Sequence, residues 1–276
     1  MKAIGEVVSG VVMNADKNAP SAGSEYMGGD GLLHCALCDD PVQCRIRIFG
    51  EEHTVRCICG CVRAEMKAQK ERERQEEIER HRRECFEGAD MICWTFEVDD
   101  RKDERLTNAM QTYADGFGEF LKNGKGLLLY GRNGTGKTFY AACIANSLID
   151  SGYRVLVTDF ARLANQLSGL KNKQEFIDGL SVYDLVVFDD LGAERSSEYM
   201  QEIVFGFVNA RCCSGLPFIV TTNLTIDEIT KPQDFGRARI YSRILQRCFP
   251  VEVNGADRRK AQLRQSFPDM AKRLGL

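Results

Sequence analysis

The chain has 276 residues and a net charge of −3, with 43% hydrophobic and 28% charged residues. That balance describes a globular chain long enough for one large domain or two small ones. It excludes the global positive field that announces a nucleic-acid partner, so such a contact needs a local basic patch. No apolar run approaches the roughly 18–20 residues of a membrane span, and no membrane is expected. Met1-Lys2 leads into an apolar stretch interrupted by Gly5, Glu6 and Gly10, which is not a signal-peptide pattern. The expected location is therefore the cytoplasm.

Residues 1–30 are rich in Gly, Ser, Asn and Ala and show little periodicity, so a flexible leader is expected there. A cysteine-rich module follows over residues 31–62. Six of the chain's 12 cysteines lie between Cys35 and Cys61. In a reducing compartment such density argues for a metal cluster rather than disulfides. Cys35-Ala36-Leu37-Cys38 is a Cys-x-x-Cys knuckle, and Cys57, Cys59 and Cys61 crowd the far side of a strand–turn stretch from Ile46 to Glu51. Two thiolate pairs flanking a hairpin fit a tetrahedral zinc ribbon. Cys35, Cys38, Cys57 and Cys59 are the expected ligands of Zn²⁺, with Cys61, Cys44 or His53 able to replace one of them. So small a module has almost no core, and the metal would supply its stability.

Residues 63–92 read as a charged connecting helix. Over 62–84 they are good helix formers with no Gly or Pro, and opposite charges pair at helical spacing, as in Glu76 with Arg80. The apolar stripe is too thin for a coiled coil, so a solvated linker is expected. Trp94-Thr95-Phe96, which holds the only tryptophan, opens the last domain, 93–276. Between Asn108 and Asn123 the residues Met110, Tyr113, Ala114, Phe117, Phe120 and Leu121 recur at three- and four-residue steps, the face of one amphipathic helix.

Gly126-Leu127-Leu128-Leu129-Tyr130 has strand character. It runs into Gly131-Arg132-Asn133-Gly134-Thr135-Gly136-Lys137-Thr138 and then a helix-forming stretch from Phe139. This is the Walker A phosphate loop in its strand–loop–helix setting. Its glycines let backbone amides curl around phosphate oxygens, and the helix N-terminus adds donors and partial positive charge. Gly131, Asn133, Gly134, Thr135, Gly136, Lys137 and Thr138 are the expected ATP contacts. Lys137 would reach the β- and γ-phosphates, and Thr138 would hold Mg²⁺.

Four further strands are expected at 153–159, 184–190, 218–223 and 251–253. Helices are expected at 161–167, 196–211 and 238–248, with a polar break over 169–174 and a short basic tail helix at the end. Near-continuous apolar strands alternating with helices mean a parallel sheet covered on both faces. The expected fold is α/β, a P-loop NTPase with a five-stranded parallel sheet. Ligands then gather at the carboxyl ends of the strands. There the phosphate loop meets Asp189-Asp190, which close an apolar strand, and Asn223, which tips another. Asp189 is placed to bind Mg²⁺ as a Walker B carboxylate, Asp190 to polarise the attacking water, and Asn223 to orient that water or sense the γ-phosphate.

The cysteine cluster, Trp-Thr-Phe, Gly-Arg-Asn-Gly-Thr-Gly-Lys-Thr, Val-Val-Phe-Asp-Asp-Leu-Gly-Ala-Glu-Arg and Ile-Val-Thr-Thr-Asn-Leu together resemble the DnaC/DnaI-type helicase loaders, from about residue 31 onward. The IstB-like transposition helpers are similar in the ATPase part. The resemblance implies an AAA+ ATPase that binds the replicative DNA helicase and single-stranded DNA, with the cysteine module making the helicase contact. It also implies that Asn223 is sensor 1. Arg239 would be an arginine finger reaching a neighbouring subunit of a homo-oligomer, and Arg259, or else Arg258, would be sensor 2.

Two departures stand out. Asp190 occupies a position where AAA+ proteins commonly carry Glu, which shortens the reach to water and implies slow hydrolysis. Only about twenty residues follow the fifth strand, so a truncated AAA+ lid is expected, as the resemblance to the loaders and IstB-like proteins implies. The alternatives to a loader are a transposition helper, against which the cysteine module counts, and a nucleotide-binding adaptor with little hydrolysis.

Overall fold

The computed structural model describes residues 24–86, 89–194 and 197–258, together with Phe267, Met270 and 272–275. The expected leader up to residue 23, Arg259 and most of the tail helix lie outside the described residues. The chain divides into two compact units, one up to Glu77 and one from Ile78 onward.

In the first unit, β1 (Glu25–Met27) pairs antiparallel with β2 (Leu33–Cys35), and β3 (Gln43–Ile48) pairs antiparallel with β4 (Glu51–Arg56). Strand β1 lies inside the stretch expected as leader. Phe49 and Gly50 form the β3–β4 turn with φ of +51° and +90°. Positive φ at both central residues matches the right-handed twist of a hairpin. The apolar core of this unit is Cys35, Val42 and Cys59. Helix α1 (Gly60–Cys85) begins here, and its residues 63–77 are exposed.

The second unit carries a five-stranded sheet: β5 (Gly126–Tyr130), β6 (Val155–Asp159), β7 (Leu185–Leu191), β8 (Phe218–Thr222) and β9 (Cys248–Glu252). Its order is β6-β7-β8-β5-β9, with all pairs parallel. Successive strand residues point to opposite faces, and two buried clusters result. Leu127, Leu129, Val187 and Ile219 face one of them, Leu128, Val186, Phe188 and Val220 the other. The first is covered by α2 (Glu104–Asp115), α3 (Phe117–Asn123) and α4 (Lys137–Asp150). The second is covered by α5 (Phe160–Ser168), α7 (Glu198–Ser214) and α9 (Phe235–Arg247). Short helices α6 (Lys173–Gly179) and α8 (Ile226–Thr230) lie between these. β5 stands where the strand order reverses, which places a crevice at its carboxyl end.

Three local expectations need correction. The single helix over 108–123 is two helices that meet at Gly116, whose N–H caps α2 on Thr112 and Ala114 carbonyls. The polar break over 169–174 ends earlier than expected, because Asn172 caps the start of α6 by accepting from Glu175 N–H. Strand β9 begins at Cys248 rather than Val251 and includes Pro250. It is an edge strand, where proline's missing N–H is tolerated.

The charged helix also differs from a solvated linker at its end. Ile78, Arg82 and Cys85 fall on one face and are buried. Ile78, Cys85 and Phe86 join the first cluster. The Arg82 guanidinium donates to Asn146 Oδ1 at 2.6 Å and to Asp150. Val155 N–H donates to His81 Nε2 at 2.9 Å, so the end of α1 satisfies a donor of edge strand β6.

Candidate nucleotide-binding site

The phosphate loop leaves β5 at Gly131 and enters α4 at Lys137. At Gly131, φ is +144° and a Cβ would stand 2.4 Å from Val253 O. At Gly134, φ is +78° and a Cβ would stand 2.1 Å from the Asp257 carboxylate. Both positions require glycine. Lys137 is buried, and its Nζ donates to Gly131 O at 3.0 Å, Arg132 O at 2.9 Å and Asn223 Oδ1 at 2.7 Å. These contacts hold the ammonium at the loop's mouth.

Thr138 Oγ1 donates to Asp189 at 2.9 Å from Oδ1 and 3.1 Å from Oδ2. A hydroxyl and a carboxylate are hard oxygen donors, a set that suits Mg²⁺. Burial pushes the Asp189 carboxyl above the usual carboxylate range. The neighbouring Asp190 adds to this, while hydroxyls of Thr221 and Thr138 and the Lys137 ammonium oppose it.

Asp190 has φ +54°, the left-handed region, at an irregularity in the β7–β8 ladder between Phe188 and Leu191. For a residue other than glycine that conformation costs about 1–2 kcal/mol, and Asp is among the side chains that tolerate it. Asp190 lines a cavity of about 240 Å³ together with Asp159, Phe160, Asp189, Ala193 and Glu194.

Arg258 closes the loop from outside. Its N–H donates to Gly134 O at 2.9 Å, and its guanidinium pairs with Asp99 at 3.4 Å and Asp100 at 3.2 Å over the Phe139 ring. The Asp99 side chain is fully buried and also accepts from Thr107 and Tyr140 hydroxyls. Residues 94–103 and the segment after β9 are thereby tied together across the loop.

The structure thus brings Lys137, Thr138, Asp189 and Asn223 into contact and sets Asp190 beside them. Arg239 is exposed on α9 with its guanidinium 4.3 Å over the Phe205 ring. The sequence reading missed Asp99 and Thr221. Thr221 had a signal: in the strand expected over 218–223 it lies two residues before Asn223, and so on the same face.

In the first unit, four thiols lie within 4.8 Å of one another: Cys35, Cys38, Cys59 and Cys61. A tetrahedral zinc with Zn–S of about 2.3 Å needs sulfurs about 3.8 Å apart, so this set fits. It differs from the expected ligands in one member. Cys57 Sγ points to Pro41 O at 3.3 Å, and Cys61 stands in its place, 3.2 Å from Cys59 and 3.5 Å from Cys35. Amides of Leu37 and Cys38 aimed at the sulfur lower the Cys35 thiol below its ordinary range, as the thiolate form of a knuckle requires.

The sequence profile of the family described as IstB-like ATP binding protein matches residues 60–266. The chain belongs to that family. The profile starts after Cys35, Cys38 and Cys59, so most of the cysteine cluster lies outside it. Among curated proteins, the IstB-like chain is similar to the replicative helicase loader DnaI of Bacillus subtilis, 31% identical over 190 residues, 62% of this chain and 60% of that one. It is also similar to the replicative helicase loader DnaC of Escherichia coli, 29% identical over 133 residues, 46% of this chain and 54% of that one. A putative insertion sequence ATP-binding protein of Sinorhizobium fredii is 32% identical over 95 residues, 33% of this chain and 32% of that one. The chain therefore spans less than two thirds of the length of these curated relatives. The crystal structure of DnaI superposes with a TM-score of 0.51 at 27% identity, over 63% of this chain and 94% of that one. The DnaC helicase loader structure gives 0.53 at 20% identity, over 60% and 100%, and speaks for the fold alone. That fold is an AAA+-type P-loop domain.

Proposed function

We propose that this protein is an ATPase that loads a replicative DNA helicase onto single-stranded DNA, with ATP binding and hydrolysis as the switch. The observation that carries the ATPase reading is the convergence of Lys137 with Asn223 and of Thr138 with Asp189 at the carboxyl ends of β5, β7 and β8. Helicase loading comes from the likeness to DnaI and DnaC. The cysteine unit outside the family profile favours it over a transposition role.

When bound, Mg²⁺ neutralises charge on the β- and γ-phosphates. The chain's own residues do the rest. Lys137 releases its carbonyl partners to meet the phosphates. Asp190 accepts hydrogen bonding from the water that attacks the γ-phosphorus, releasing ADP and phosphate, and Asn223 orients it. Arg258, rather than Arg259, takes the sensor 2 role, since it already lies over Gly134. Arg239 serves a neighbouring subunit's nucleotide in a homo-oligomer. Zn²⁺ is held by Cys35, Cys38, Cys59 and Cys61 and orders the unit that contacts the helicase. Exposed Arg243 on α9 offers a phosphate contact to single-stranded DNA, which salt should weaken steeply.

The test is sedimentation of the full chain with the replicative helicase of the same genome, with and without ATP. A joint complex that depends on nucleotide is expected. No complex in either condition would overturn the loader reading. Capture of a transposase instead would favour a transposition helper, the reading suggested by the insertion-sequence relative.

A further inference from the structure

Strand β8 ends in two hydroxyl residues, Thr221 and Thr222, both fully buried. We infer that Thr221 is a positioning residue of the hydrolytic site, whose hydroxyl sets the backbone turn of Asp190 and the donor geometry of Asp189. The inference rests on the ATPase reading above.

The ladder itself makes the argument. Val186, Val187 and Phe188 pair with Phe218, Ile219 and Val220, and pairing resumes only at Leu191 with Thr222. Asp189 and Asp190 therefore share one opposing residue, Thr221, which is the geometry of a bulge. A bulge leaves an N–H without its regular ladder partner. Here Asp190 N–H donates to Thr221 Oγ1 at 2.9 Å. Because that oxygen accepts from an N–H, its own proton is free to go elsewhere, and it is donated to Asp189 Oδ1 at 2.5 Å. One hydroxyl thus satisfies the displaced backbone and fixes the carboxylate. It shares Oδ1 with the Thr138 hydroxyl, which lies 2.9 Å from Oδ1 and 3.1 Å from Oδ2. A left-handed aspartate persists only where its surroundings hold it: Thr221 holds the Asp190 N–H, and the Ala193 N–H holds its carbonyl at 3.1 Å.

Thr222 supplies the internal control. Its hydroxyl is equally buried and donates to Leu191 O at 2.7 Å, but among the described contacts it does not touch either carboxylate. Thr221→Val removes the hydroxyl with little change of shape, Thr221→Ser keeps it, and Thr222→Val breaks a comparable bond in the same strand.

The experiment compares affinity of the full-length variants for a fluorescent ADP analogue in Mg²⁺ and in EDTA, alongside ATP turnover. Thr221→Val should lose about tenfold of the magnesium-dependent tightening, with kcat reduced and affinity in EDTA within about twofold of wild type. Thr221→Ser and Thr222→Val should retain both properties. Wild-type magnesium tightening and turnover in Thr221→Val would overturn the inference, as would an equal loss in Thr222→Val. Wild-type protein whose nucleotide binding gains nothing from Mg²⁺ would instead overturn the ATPase reading beneath it. Hydrogen exchange of the Asp190 amide in the wild-type chain reads the same contact without a variant: slow exchange is expected, and free exchange would contradict it.

Discussion

At the residue scale the phosphate loop turns on Lys137 and the thiol cluster on Cys61. Lys137 follows from a motif whose spacing admits one lysine, and the structure points its ammonium at Asn223. Cys61 did not follow, because Cys57, Cys59 and Cys61 alternate at identical steps. What separates them is backbone direction. Cys57 follows directly on β4, with its N–H on Val42 O, while Cys61 sits in the first turn of α1 and swings back toward Cys59. Cys61→Ser should therefore lose the metal, while Cys57→Ser keeps it. Zinc content of the two purified variants checks this, and the reverse pattern would restore the expected set. Arg258 was legible only as an alternative, since nothing local shows that Asp99 and Asp100 would anchor it.

Among elements, the parallel strands were plain because burial on both faces demands unbroken apolar runs. Helix α1 was legible as a helix but not as a packed one. Its buried face is carried by Ile78, Arg82 and Cys85, and a charged residue in the middle of the stripe hides it. Arg82 is worth testing for that reason. Its side chain is 10% exposed and pairs with Asp150, which is 58% exposed and so contributes little. The stronger link is Asn146, which in turn donates to Met91 O and Trp94 O. Arg82→Ala leaves the Asn146 carbonyl oxygen unpaired and should destabilise the second unit by about 2 kcal/mol. Urea denaturation followed by fluorescence of Trp94 measures it, and a change below about 0.5 kcal/mol, the range of an ordinary surface substitution, would contradict the packed reading.

At the scale of the whole molecule, two compact units carry two separable chemistries, a four-thiol cluster and a phosphate loop with its carboxylates. The second was legible because each of its parts sits at a strand end, where an α/β sheet gathers its ligands. The geometry among the parts was not, because a bulge at Asp190 leaves no sign in an apolar strand ending in two carboxylates. The central claim is that this second unit hydrolyses ATP. Its most direct test is steady-state ATP turnover by the full chain, with single-stranded DNA present, in wild type and Lys137→Ala. The account predicts slow but measurable turnover in the wild type and none in Lys137→Ala, with nucleotide binding lost as well. Equal turnover in both proteins, or none in the wild type, would contradict it.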